Sequence, residues 1–149
     1  MVNRPKNIGT AGETGVVRAC QTRGFPHAER RALHGNQDLG DILLCPGIIL
    51  EVKSGKAAQA ASDAQIAAWM DETETERKNA QAAYGFLITA RPGFSPARAQ
   101  HWWAHTDFRT LVGLLMSDEG VPEVPARLEL RHLLYILTSY GWGTPEEAQ

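Results

Sequence analysis

Two cysteines, Cys20 and Cys45, are too few for a disulfide framework or a cysteine-built metal centre. Each stands among apolar residues and reads as a reduced core thiol, which suits a cytoplasmic protein. No run of 18 apolar residues occurs, so neither a membrane-spanning helix nor a membrane partner is expected. The opening Met1-Val2-Asn3-Arg4-Pro5-Lys6 leads into Asn, Gly and Thr, so no secretory leader is expected there. A surplus of one charge is missing too: the net charge of −2 argues against a general polyanion binder. The five histidines show no metal-ligand spacing.

The charge is nevertheless uneven. Residues 1–56 carry eight Lys/Arg against five Asp/Glu, and residues 57–149 carry seven against twelve. A basic half turned one way could meet phosphates while the acidic remainder keeps the protein soluble; the alternative is an accidental split of surface charge. The length, 149 residues with 43% apolar and 21% charged, is that of one globular domain.

Along the chain, residues 1–9 read as a loose leader. Thr10-Ala11-Gly12-Glu13 has the form of a capping box opening a helix to about Thr22, with Gly24 as its stop. Residues 25–33 read as extended and His34 to Gly40 as a polar loop. Asp41-Ile42-Leu43-Leu44 and Ile48-Ile49-Leu50-Glu51-Val52-Lys53 are apolar runs separated by Cys45-Pro46-Gly47, which predicts a hairpin of strands covered on both faces. A long helix is expected from Ser62 to Tyr84, with Ile66, Met70, Thr73, Ala80 and Tyr84 on one stripe and Gly85 ending it. Strands are expected at Phe86–Ala90 and His101–His105, then a helix at about Thr106–Met116 and a last one near Ala126–Tyr140. The order predicts an α/β fold, a mixed central β-sheet flanked by helices.

The hairpin carries the chemistry. With a three-residue loop, Leu44 pairs with Ile48 and Asp41 lies opposite Glu51, on the same face as Lys53. A two-residue loop would send the two carboxylates to opposite faces, so the idea depends on register. Two crowded carboxylates repel unless a cation sits between them, and oxygen-only ligands suit Mg²⁺ or Mn²⁺. Glu13 shares a helix face with Val16, Val17 and Cys20 and so points at the edge of the core. It is either the closing residue of the capping box or a further ligand, and both readings stay open here.

These residues resemble the PD-(D/E)xK nuclease superfamily, and within it the Holliday-junction resolvase-like proteins, including small phage and actinobacterial ones. The likeness runs from Thr10 to about Leu115: an early helical Glu, Gly24-Phe25, Asp38-Leu39-Gly40-Asp41-Ile42, then Glu51-Val52-Lys53-Ser54 and a Trp-bearing helix. Gly40 stands where many members have proline. The resemblance implies a restriction-endonuclease-like core over residues 10–116. Residues 117–149 lie outside the likeness and read as a C-terminal helical extension, packed on the core or at a dimer interface. It implies that Asp41, Glu51 and the Val52 carbonyl ligate Mg²⁺, with Mn²⁺ able to substitute. Lys53 would orient or deprotonate the attacking water, and Glu13 would hold a second metal or a metal-bound water. Arg30, Arg31, Ser54 and Lys56 flank the site as contacts for the DNA backbone, although each alone is an ordinary surface residue.

The expected activity is Mg²⁺-dependent endonucleolytic cleavage of branched DNA by a homodimeric junction resolvase, in the cytoplasm, which for a phage-encoded protein would be that of its host. The rival readings are a related nuclease for flaps, nicks or duplex sites, and a catalytically inactive DNA-binding module. Asp38 competes with Asp41 as a ligand but reads as a loop anchor. Trp69, Trp102 and Trp103 read as core, with base stacking open to one of them. Leu128, Leu133, Leu134, Ile136 and Leu137 make the last helix apolar around much of its girth, which suggests burial on two sides.

Overall fold

The computed structural model describes residues 4–31 and 37–144. Helix α1 (Arg4–Gln21) is followed by strands β1 (Glu29–Arg30), β2 (Ile42–Cys45) and β3 (Ile48–Lys53). Helices α2 (Gly55–Gln59) and α3 (Asp63–Asn79) lead to β4 (Tyr84–Thr89). A 3₁₀ segment (Pro96–His101), β5 (Trp103–Asp107), α4 (Phe108–Leu115), β6 (Pro125–Glu129) and α5 (Leu130–Ser139) complete the order. The strands form one six-stranded sheet in sequence order, β1-β2-β3-β4-β5-β6. Only the β3–β4 pair is parallel, and α2 and α3 supply its crossover. The fold is thus mixed α/β with helices on the sheet, as the pattern of elements predicts.

The two sheet faces have different neighbours. Ile42, Leu44, Ile48, Leu50, Val52, Phe86, Ile88 and Ala104 share a core with Val16, Val17 and Cys20 of α1 and with Leu130, Leu133, Leu134 and Leu137 of α5. Burying each of those leucines contributes roughly 1.5–3 kcal/mol. Burial also pushes the Cys20 thiol up to about 12, and both cysteines are free. On the other face, α3 lies over β3 and β4, where Thr73 and Ile49 are buried.

Several local expectations are corrected. Helix α1 starts at Arg4 rather than Thr10, so Thr10 lies inside the helix and the capping box is not used. The hairpin turn has two residues, Pro46 and Gly47, not three; Gly47 takes φ 95°, open to a residue without a Cβ. Helix α3 is capped by Ser62, whose side chain accepts the Gln65 amide at 3.1 Å, but it ends at Asn79. Gly85 is a strand residue rather than a helix stop. A Cβ there would come within 3.1 Å of the Arg77 Cβ and of Ile49, so glycine lets α3 pack closely on β4. β5 runs from Trp103 to Asp107, shifted from the expected strand at His101–His105, because the 3₁₀ segment takes the residues up to His101.

The largest addition is β6. The Pro-punctuated stretch before the last helix is an edge strand, with Pro125 first, where the missing amide costs no ladder bond inside the sheet. The expected extended segment and polar loop fall partly on residues 32–36, outside the described residues. No helix among the described residues is long and apolar enough to cross a membrane.

Candidate metal and catalytic site

Strand period two and the β2–β3 register place the site. Ile42 pairs with Leu50 and Leu43 with Ile49, whereas nearer the turn Cys45 pairs with Ile48. The register therefore shifts between Leu43 and Cys45: Leu44 is the extra residue of a bulge. A two-residue turn alone would separate the faces of Asp41 and Glu51. The bulge cancels that shift, so the carboxylates meet as the longer loop would have had them. Asp41 Oδ2 accepts the Val52 amide at 2.8 Å, and the Asp41 backbone amide bonds the Leu50 carbonyl at 3.0 Å.

Glu51 is 4% exposed and faces α3. From that helix Glu76, 6% exposed, turns in towards it. Asp38 arrives from the loop before β2, and one carboxylate oxygen from each of Asp38, Glu51 and Glu76 lies within 4.8 Å of the others. Asp38 also anchors its loop, since its Oδ1 accepts the Gly40 amide at 2.9 Å. Asp41 is not one of this trio: it lies against Glu51 at the trio's side, with its Oδ2 held by the Val52 amide. Burial pushes the Asp41 pKa up to about 8, helped by Glu51, and Glu51 up to about 8, helped by Glu76. Glu76 rises to about 7, again through burial first.

The donors fit a hard divalent cation. Glu51 Oε2 and Glu76 Oε2 are buried without a hydrogen-bond partner among the described residues. Buried carboxyl oxygens left unpaired are costly, and a shared cation would satisfy several at once while letting them ionise. Every candidate ligand is oxygen, which suits Mg²⁺ or Mn²⁺.

Lys53 projects on the same face two residues beyond Glu51. Its Nζ lies 3.2 Å from Glu72 Oε2 and 5.6 Å from the centre of the Trp69 ring. Burial opposes its charge, but Glu51 and Glu72 outweigh burial and hold its pKa above the usual value. Lys53 is therefore a standing cation, suited to stabilising negative charge rather than to accepting a proton.

The other sequence candidates occupy varied positions. Glu13, inside α1, is half-buried and bonds Arg30 Nε through Oε2 at 2.7 Å. Burial raises its pKa, Arg30 opposes that rise, and Asp41 adds to it, so Glu13 feels the cluster. Arg31 donates to the Leu39 carbonyl at 3.2 Å and its amide bonds the Asp41 carbonyl at 2.8 Å, which holds the loop edge. The Ser54 hydroxyl is buried without a hydrogen-bond partner among the described residues, directly against Gly12, where any Cβ would collide with it. Lys56 is exposed on α2. The set Asp41, Glu51 and Lys53 is brought together.

Sequence reasoning misses Glu76. Its signal is present: it lies three residues after Thr73 on the inward stripe of the helix, an acid where an apolar side chain belongs. Comparisons with family models, with curated proteins and with solved structures give no match to this chain.

Proposed function

We propose that this chain is a divalent-metal-dependent nuclease, organised like the PD-(D/E)xK enzymes, that hydrolyses phosphodiester bonds in branched DNA. The observation that carries the reading is the trio Asp38, Glu51 and Glu76, with Asp41 against Glu51, beside the charged Lys53, and with two buried carboxylate oxygens unpartnered among the described residues. A module that only bound DNA would gain nothing from carboxylates crowded beside phosphate, since like charges repel.

Asp41, Glu51 and the Val52 carbonyl are the ligands the resemblance assigns to Mg²⁺, and Asp38 and Glu76, grouped with Glu51, would help to hold the ion. A divalent ion held there would supply acidified water and neutralise charge on the phosphate. The rest falls to the chain's own side chains. Lys53 steadies the negative charge that grows on the phosphate oxygens, and Glu72 and Trp69 keep its ammonium in place. Glu13, tied to Arg30, orients water at the cluster's edge. A four-way junction presents two strands for symmetric cutting, and a two-fold homodimer offers two matched sites. That dimer does not use Leu133, which is fully buried within one chain.

The test is incubation with labelled four-way junction, flap and linear duplex, each with Mg²⁺ and with EDTA. Wild type is expected to cut in Mg²⁺ alone, the junction best, and Glu51→Gln not to cut. Cleavage by Glu51→Gln at the wild-type rate would overturn the site. Equal cutting of all three substrates would overturn the preference for junctions and leave the nuclease.

A further inference from the structure

Around the start of β5, arginines and aromatic rings alternate in one series of contacts. The Arg98 guanidinium lies 4.7 Å from the centre of the Phe94 ring, and that of Arg91 lies 4.8 Å from it. Arg91 also lies 4.0 Å from the Trp103 ring, whose centre is 4.0 Å from the Arg127 guanidinium as well. The order is Arg98, Phe94, Arg91, Trp103, Arg127, with two guanidinium groups over each ring. His101 stacks on Phe94 at 4.8 Å, and Arg131 joins the edge through Glu129 at 3.1 Å.

The charges do not cancel. Glu129 lies 3.5 Å from Arg91 and also binds Arg131, so one carboxylate serves two arginines. Arg98 and Arg127 are exposed and have no carboxylate partner among the described residues. Four guanidinium groups against one carboxylate are a concentrated positive patch on a chain of net charge −2. Such crowding is relieved by an anion, and stacking on the rings pre-organises the forks, so little rotamer freedom remains to be lost on binding.

Sheet register fixes where the Trp103–Arg127 end of this patch lies. Lys53 pairs with Thr89, Thr89 with Trp103, and Trp103 with Glu129, so one row crosses four strands. Side chains in such a row share a face. Two strand spacings separate the Lys53 backbone from that of Trp103, about 10 Å. A groove of about 490 Å³ on the same face is lined by Thr89, Trp103, His105 and Arg127 on the sheet side and by Ile66 and Met70 of α3.

We infer that the Arg98–Phe94–Arg91–Trp103–Arg127 stack is a binding platform for the sugar-phosphate backbone of DNA, which leads a strand towards Lys53. This rests on the nuclease reading for its destination, but its own prediction is binding. Two guanidinium groups already lie 4.0 Å from the centre of the Trp103 ring, so the platform offers charge to phosphates rather than an open ring to bases, and it carries no sequence preference.

The test is binding of labelled DNA by fluorescence anisotropy, in EDTA to prevent cutting, with the full chain across a range of salt. Arg98→Ala and Arg127→Ala are expected to weaken binding roughly tenfold each, and the double variant roughly a hundredfold. The slope of log affinity against log salt should shrink by about 0.9 for each phosphate that is no longer neutralised. Lys78→Ala, on exposed α3 away from the stack, should bind as wild type. Arg127→Lys keeps the charge but not the planar stack and should fall between. Both arginines are exposed, so melting temperatures should confirm intact folding. Wild-type affinity and salt slope in the double variant would overturn the platform; if wild type then still cut DNA and Glu51→Gln did not, the nuclease reading would stand. Binding through these arginines without any cutting would keep the platform and overturn the nuclease. Failure of wild type to bind any DNA would overturn both.

Discussion

Asp41 Oδ2 accepts the Val52 amide at 2.8 Å, which ties the start of β2 to the peptide between Glu51 and Lys53. The bond spans the hairpin from one proposed ligand to the residue that carries another. It holds only because the bulge at Leu44 returns Asp41 to register with Glu51. Changes to the hairpin therefore act on the site through its ends.

The acids should make metal-free stability depend on pH. Asp41, Glu51 and Glu76 have pKa values raised to about 8, 8 and 7, chiefly by burial. The folded state thus holds these protons more tightly than the unfolded chain does. Their stabilisation is complete below the unfolded values of 3.8 and 4.5 and is lost as pH rises through 7 to 8. In EDTA the melting temperature should fall as pH is raised from about 5 to about 8.5, and Mg²⁺ should restore it mainly at the upper end. A melting temperature that ignores both pH and Mg²⁺ would contradict the cluster's electrostatics.

Glu76→Gln should weaken Mg²⁺ binding at least about tenfold, measured by calorimetry on the intact protein. Because it also removes one of the crowded charges, it should raise the metal-free melting temperature at pH 8. Unchanged Mg²⁺ affinity would remove Glu76 from the site.

Glu13→Gln separates structure from chemistry. Helix α1 runs past Thr10 in both directions, so no cap depends on Glu13. Its partner Arg30 is 45% exposed, and such an ion pair contributes less than about 1 kcal/mol. The melting temperature should barely move, while cleavage should slow by about a hundredfold or more. Retained activity would exclude Glu13 from catalysis.

Leu133 is completely buried in the core of the single chain. Leu133→Ala should cost about 2–5 kcal/mol in denaturant unfolding, and Leu133→Glu should not fold. A well-folded Leu133→Glu protein that merely dissociates would place this residue at an interface instead.

What is legible in the sequence is what local pattern determines. The apolar runs around Pro46-Gly47 read as paired strands because nearly every side chain in them is apolar. Glu51 and Lys53 fall on one face because strand residues two apart always do. Local rules fail where two signals share a residue: Gly85 reads as a helix stop, yet it is a strand glycine beneath Arg77. At β6, Pro125 and the prolines before it mask an alternation that puts Arg127 and Glu129 on one face and Ala126 and Leu128 on the other.

The sequence by itself determined the central hairpin, the face that carries Glu51 and Lys53, and the acidic character of a site beside them. Only the tertiary structure decided that a bulge would keep Asp41 in register and that Glu76 of α3 and Asp38 of the loop would join Glu51. It alone set two arginines against the Trp103 ring. The physical reason is range. Backbone periodicity fixes where a side chain points within its own element. Which charges then meet depends on how closely helix and sheet pack, and that spacing is set by side chains far apart in the chain.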